Sequence, residues 1–155
     1  MFLVYVWGGV LLLFMLFSLY VWVKGNNIKN KLKKENNGVS FFSGIEFHRL
    51  AKSKIAYNVS IPVKIDVAID ENYIYLLPGK FRIFLFNNLM PSQLNRKNTS
   101  LIIEPQFSKS IRLNFDSSSI ENKMGVNTFF GKTKFECTLT CIDTDQRDKI
   151  ISLTK

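Results

Sequence analysis

The sequence predicts an N-terminal transmembrane helix joined to a mainly-β soluble domain. That domain should hold about seven antiparallel strands, as a barrel or sandwich, with a C-terminal helix. Three observations carry the prediction. Met1 to Val23 holds no Asp, Glu, Lys or Arg, and only Gly8, Gly9 and Ser18 interrupt its apolar run. From Phe41 onward the hydrophobic period changes to two. The final residues carry a helix-start signal followed by an apolar face.

The first segment makes about 35 Å of helix, enough for a bilayer core of about 30 Å. A secretory signal peptide would show a basic region before a shorter apolar core and a small-residue cleavage site after it. Neither is present. A buried core helix would carry polar punctuation, which this run lacks. Tyr5 and Trp7 lie toward one end and Tyr20 and Trp22 toward the other, where amphipathic aromatics meet the two membrane–water interfaces. Lys24, Lys29, Lys31, Lys33 and Lys34 follow the run and no lysine or arginine precedes it. Basic residues beside a span favour the cytoplasmic side. The expected topology is a single pass with the amino end outside and the C-terminal domain in the cytoplasm. The triplets Asn58-Val59-Ser60 and Asn98-Thr99-Ser100 would be glycosylation sites only for a lumenal domain.

Residues 24–38, KGNNIKNKLKKENNG, read as a basic juxtamembrane linker between the span (1–23) and the β domain (39–155). Gly25, Asn26 and Asn27 predict a break on one side, Asn36, Asn37 and Gly38 on the other. Ile28 and Leu32 would form a thin apolar stripe if the helix continued. The five lysines are the candidate contacts for anionic lipid headgroups, each worth about 1 kcal/mol near the surface.

Within the domain, Phe41 to Leu50 is the first expected strand. Val59, Ile61, Val63, Ile65, Val67 and Ile69 then alternate with Ser60, Pro62, Lys64, Asp66 and Ala68, the pattern of a strand with one buried face. Pro62 lacks a ladder donor and places that end at an edge or bulge. Asp70-Glu71-Asn72 supplies a turn, Tyr73 to Leu77 a return strand and Pro78-Gly79 another turn. Further strands are expected at Phe81–Phe86, Leu101–Glu104 and Ile111–Phe115, with loops at Asn87–Asn98 and Asp116–Lys123. Asn127 to Ile142 is the last strand region, bent at Gly131. Asp143 and Gln146 form a D-x-x-Q capping box, and the helix it opens spans 144–154. Ile150, Ile151 and Leu153, with the Ile142 side of the strand behind them, supply its apolar face.

The chain has 155 residues and a net charge of +9, from 21 Lys and Arg against 12 Asp and Glu. Much of the excess is concentrated beside the apolar run, and the domain itself is only mildly basic. Fourteen Phe and five Tyr favour strands. Cys137 and Cys141, four apart on one strand, would stand about 13 Å apart, too far for a disulfide. Both read as core residues in a reducing compartment.

No catalytic, metal or cofactor signature survives inspection. His48 is the lone histidine and has no partner set for a triad or zinc site. Gly131-Lys132-Thr133 resembles the end of a phosphate loop, but Gly125 stands one position too far back and a strand follows where a helix is needed. Asp143-Thr144-Asp145 lacks the glycine and distal glutamate of a calcium loop. Ser117-Ser118-Ser119 has no flanking elbow glycines. Lys80-Phe81-Arg82 and Phe129-Phe130-Gly131-Lys132 interleave basic and aromatic groups. No nucleic-acid motif accompanies them, so no nucleic-acid partner is expected. Lys80, Arg82 and Lys132 remain weak candidates for surface contact.

The closing run FECTLTCIDTDQRDKIISL and the central ENYIYLLPGKFRIFLF resemble the last strand and helix, and the central hairpins, of pleckstrin-homology and GRAM-like domains. The resemblance covers 41–155 and implies a PH-like fold of seven strands closed by one helix. The family often binds phosphoinositides through a basic cluster in its first hairpin loop. The corresponding His48-Arg49-Leu50-Ala51-Lys52-Ser53-Lys54 does not match that cluster, so headgroup binding is not carried over. The functional expectation is a non-catalytic binding module at the cytoplasmic membrane surface, meeting an unidentified protein partner, anionic lipid, or both. The alternative is an enzyme or small-ligand-binding domain whose site has no recognisable signature.

Overall fold

A helix that is apolar in its first part leads into an antiparallel sheet, which a second, short helix closes. The computed structural model describes residues 2–35, 38–50, 63–80, 91–103, 109–116 and 134–154. Helix α1 runs from Phe2 to Glu35. Strands β1 (Ser40–Leu50), β2 (Val63–Ile69), β3 (Tyr73–Pro78) and β4 (Ser92–Asn95) follow. After a 3-10 turn at Arg96–Asn98 come β5 (Thr99–Ile103), β6 (Ser110–Asp116), β7 (Lys134–Thr140) and helix α2 (Thr144–Thr154).

The seven strands form one sheet in the order β4-β3-β2-β1-β7-β6-β5. Every pairing is antiparallel. The two meanders β1–β4 and β5–β7 join where β1 pairs with β7. Among the described residues β4 and β5 pair with one neighbour each and the sheet is not closed. The expected strand from Val59 is described from Val63, and the last one from Lys134. The expected strand Phe81–Phe86 and the loop at 117–123 lie outside the described residues, as do Glu104 and Asn127–Thr133.

Two expectations are corrected. Asn87–Asn98 was expected to be a loop, but Ser92 to Asn95 is a strand paired with β3, Leu94 standing opposite Ile74. Its single apolar residue, Leu94, is fully buried, and one anchor on an edge strand is enough where β3 supplies the ladder. The predicted break at Gly25–Asn27 is absent, and α1 continues to Glu35. The reason is packing against the sheet, described below.

The main core lies on the inner face. Val63, Ile65, Val67 and Ile69 of β2, Ile74 and Leu76 of β3, Ile111 and Leu113 of β6, and Cys137 and Leu139 of β7 form one cluster with Ile150 and Ile151 of α2. Alternation explains the choice of face, since odd-numbered residues of β2 all point inward. In α2 the capping expectation holds with one adjustment. Gln146 N donates to Asp143 Oδ1 at 2.7 Å, while Gln146 Oε1 accepts from Ile142 N at 2.9 Å rather than from Asp143 N. Gln146 Nε2 also donates to Ser43 O at 3.2 Å. Ser43 and Gly44 form a bulge between the register pairs Phe42–Val67 and Ile45–Ile65. Gly44 has φ +77°, the left-handed conformation that favours glycine at such bulges. Of the apolar face of α2, Ile150 and Ile151 are buried and Leu153 is 37% exposed.

Candidate functional site

A second, smaller cluster lies on the outer face of the sheet and defines the region of interest. Ala68 of β2 and Tyr75 and Leu77 of β3 are buried there beneath Leu32 of α1, with Ile28, Val39, Phe41 and Tyr73 packed around them. β2 and β3 are therefore covered on both faces, by α2 and the sheet inside and by α1 outside.

Helix α1 has two environments. Between Tyr5 and Val23 most side chains are open to the surroundings, Tyr5 at 75% and Leu13 at 67% exposure. It is the one helix among the described residues long and apolar enough to cross a membrane. On one side, however, Ser18 and Val21 are buried at 0% and 1%. With Gly25, Ile28 and Leu32 they form a stripe at alternating spacings of about three and four residues, one face of a helix. The face that meets the sheet thus starts inside the apolar run.

Gly25 sits at the closest approach. A Cβ placed there would overlap Cγ and Cδ of the Pro78 ring. The glycine that looked like a helix breaker lets the helix backbone lie against the end of β3. A mid-helix glycine costs about 1 kcal/mol relative to alanine, and the docked stripe offsets that. The sequence did hold a signal. Tyr73 to Pro78 is apolar on both faces, the mark of a strand covered on both sides, and the Ile28–Leu32 stripe was its partner.

The five lysines are not a loose cluster. They climb the helix, Lys34 standing about 15 Å along the axis from Lys24. Lys24 is half-buried. Its ammonium has no hydrogen-bond acceptor among the described residues and lies 5.8 Å from the Tyr20 ring centroid. Lys29 donates to Asp66 Oδ2 of β2 at 2.5 Å, with both side chains largely shielded. Lys31 faces Glu35 at 3.8 Å in the open, and Lys33 lies 5.5 Å from the Phe41 ring centroid. Lys34 is exposed on the last turn. Lys80 is exposed just past β3. Arg82 and Lys132 lie outside the described residues.

The sheet has a definite polarity along α1. Gly25 meets Pro78, while Leu32 lies over Ala68 and Tyr75. Pro78 and Pro91 therefore mark the end nearer the apolar half, and the β2–β3 turn marks the far end. That turn is strongly fixed. Asp70 Oδ1 accepts from Asn72 N at 2.7 Å and Tyr73 N at 2.6 Å, and Asp70 Oδ2 from Tyr75 Oη at 3.0 Å. Arg96 Nη1 donates to Asp70 O and Glu71 O at 3.1 Å each.

Between α1 and the β3–β4 pair is a cavity of about 300 Å³. Ile28, Leu32, Tyr75 and Leu77 make its apolar wall and Lys31 and Glu35 its polar margin. His48 is half-buried on β1, opposite Thr138. Cys137 and Cys141 are both buried thiols. Burial pushes the Cys141 thiol up to about 11, reinforced by Asp143 and opposed by Arg147. Among the described residues no group of three or more His, Cys, Asp or Glu comes together to hold a metal.

No protein-family model and no curated protein matches the chain. Among solved structures it is similar to a chain of the 8S snRNP assembly intermediate, at 17% identity over 77% of this chain and 80% of that chain, with a TM-score of 0.45.

Proposed function

We propose that this is a single-pass membrane protein whose β domain is a non-catalytic binding module for a protein partner at the cytoplasmic membrane surface. The observation that carries the reading is that α1 is one continuous helix, exposed and apolar in its first part and docked on the sheet in its last. A helix built this way needs lipid around its first half. It also holds the domain at a fixed distance and rotation from the bilayer, a useful property for a module that presents a surface to a partner. The five lysines that follow the apolar run support a β domain on the cytoplasmic side. The order of seven strands and a closing helix supports a PH-like domain type.

Three measurements test this on the full chain in native membranes. Alkaline carbonate should leave the chain in the membrane pellet, and protease added to sealed, right-side-out vesicles should spare the domain. Release by carbonate would end the spanning reading, and digestion from outside would reverse the orientation. Crosslinking from the Asp70–Asn72 end should then yield a discrete protein adduct. Adducts to lipid alone would leave the module without its protein partner.

The cavity beside α1 favours a second reading, a domain that holds a small amphipathic ligand against Ile28 and Leu32. Native mass spectrometry of the chain taken from membranes would support it by finding a bound mass and sink it by finding none.

A further inference from the structure

The position of Gly25 fixes more than the helix–sheet contact. The apolar run ends at Val23, so Gly25 stands about 3 Å beyond it along the axis. Gly25 lies against Pro78, with Pro91 also beside it, Pro91 Cγ coming within 3.5 Å of a Cβ placed there. Just past β3, Gly79 closes on the β2 backbone, a Cβ on it standing 2.7 Å from Lys64 O. One end of the sheet is thereby held level with the end of the apolar run. Protein already covers one side of α1 from Ser18, about 10 Å before Gly25. A domain joined by a flexible connector would hang clear of the surface. This one has no slack.

We propose that the domain is seated on the bilayer by this end: Pro78 and Pro91, buried beside Gly25 of α1, set its level, and Gly79, Lys64 and Lys80 face the headgroup layer, the two lysines toward lipid phosphate. Both lysines are exposed. Glu46 stands across from Lys64 in the β1–β2 ladder and offsets part of its charge, so Lys80 carries the larger share. Lys24, whose buried ammonium has no acceptor among the described residues, sits at the same level. The other helix lysines are excluded from the seat. Lys29 is tied to Asp66 and Lys31 faces Glu35, and Lys31, Lys33 and Lys34 all stand about 12 Å or more beyond Val23, past the screening length of about 8 Å at physiological salt. The Asp70–Asn72 turn and Arg96 then face the aqueous side. The occupant is the anionic bilayer surface itself, and the inference rests on the spanning reading proposed above.

The test uses the full chain in nanodiscs containing anionic lipid, with one reporter cysteine at a time. Cys137 and Cys141 are buried, and the Cys141 thiol is held protonated at neutral pH, so Leu12→Cys, Lys64→Cys, Lys80→Cys and Glu71→Cys label selectively in the folded chain. A fluorophore at 12 should be quenched by mid-chain lipid quenchers, those at 64 and 80 by headgroup quenchers, and that at 71 by neither. Adding Lys80→Glu to the chain labelled at 64 should lower the seated-to-unseated ratio about fivefold. If 64 and 80 are as unquenched as 71 while 12 is quenched, the seat is overturned and the span stands. If 12 is unquenched, span and seat fall together. Unchanged quenching at 64 in the Lys80→Glu chain overturns the role of Lys80.

Discussion

The two parts of α1 answer to different surroundings with one continuous backbone. From Tyr5 to Val23 the helix is apolar on nearly every side and exposed. From Lys24 to Glu35 it is polar except for a stripe, and that stripe is covered by Tyr75, Leu77 and Ala68. Each part contains features that would be liabilities in the other. Gly25, Asn26 and Asn27 weaken a free helix but occupy places where the sheet needs a close approach or the helix faces outward. Leu11 to Leu13 would be exposed apolar surface on a soluble domain, yet suit a helix surrounded by hydrocarbon. The difference teaches that one backbone can serve two ends, one covered by the sheet and the other long and apolar enough to cross a membrane.

The largest effect that separates the two parts should come from the Lys29–Asp66 pair. Lys29→Ala would leave the Asp66 carboxylate shielded beneath α1 without its cation, and breaking such a pair costs about 3 kcal/mol. Thermal melting of the domain in detergent micelles should register the loss. The double variant Lys29→Met with Asp66→Leu should recover most of it, because a packed apolar pair replaces a shielded ionic one at little net cost. A melt unchanged in Lys29→Ala would mean that α1 does not dock through this pair.

Leucines give the next contrast. Leu32 is buried at 9% exposure and Leu12 is open at 59%. Leu32→Ala should cost the domain about 2 kcal/mol through lost burial and a cavity beside Tyr75. Leu12→Ala should leave the domain melt unchanged and act only on retention in the membrane. Equal effects on the melt would erase the distinction between the parts.

How much of this was legible depends on how local each signal is. The α2 helix was legible because Asp143 and Gln146 announce its start and Ile150 and Ile151 its buried face. β2 was legible from Val63 to Ile69 because one face is apolar at strict alternation. β4 was not, because Ser92–Asn95 has one apolar residue and takes its strand character from β3. The continuation of α1 was hidden for the opposite reason. Gly25-Asn26-Asn27 is a strong local signal for a break, and tertiary packing overrides it. The information lay in a pair of distant stretches, Ile28 with Leu32 and the doubly apolar Tyr73–Pro78, and it emerges only when they are considered together. The candidate lysines suffered the same way, since a flexible connector would let all five reach one surface while a helix distributes them along its length and gives Lys29 to Asp66.

The smallest effect, and the sharpest comparison, concerns the glycines. Gly8 and Gly9 have nothing within 4 Å of a placed Cβ, whereas at Gly25 the ring of Pro78 is in the way. Alanine gains about 1 kcal/mol over glycine inside a helix from backbone entropy. Gly8→Ala should therefore be neutral or slightly favourable for helicity. At Gly25 the same gain is set against overpacking of about 1–3 kcal/mol, so Gly25→Ala should lower the domain melt by a net of about 1 kcal/mol, with the sign opposite to Gly8→Ala. Pro78→Ala removes the ring and opens space for the new methyl. Combining it with Gly25→Ala should restore the melt relative to Gly25→Ala alone, a coupling that measures the contact directly. If Gly25→Ala instead stabilised the chain as Gly8→Ala does, the helix would not lie on Pro78, and the fixed level of the sheet against the apolar run would be lost with it.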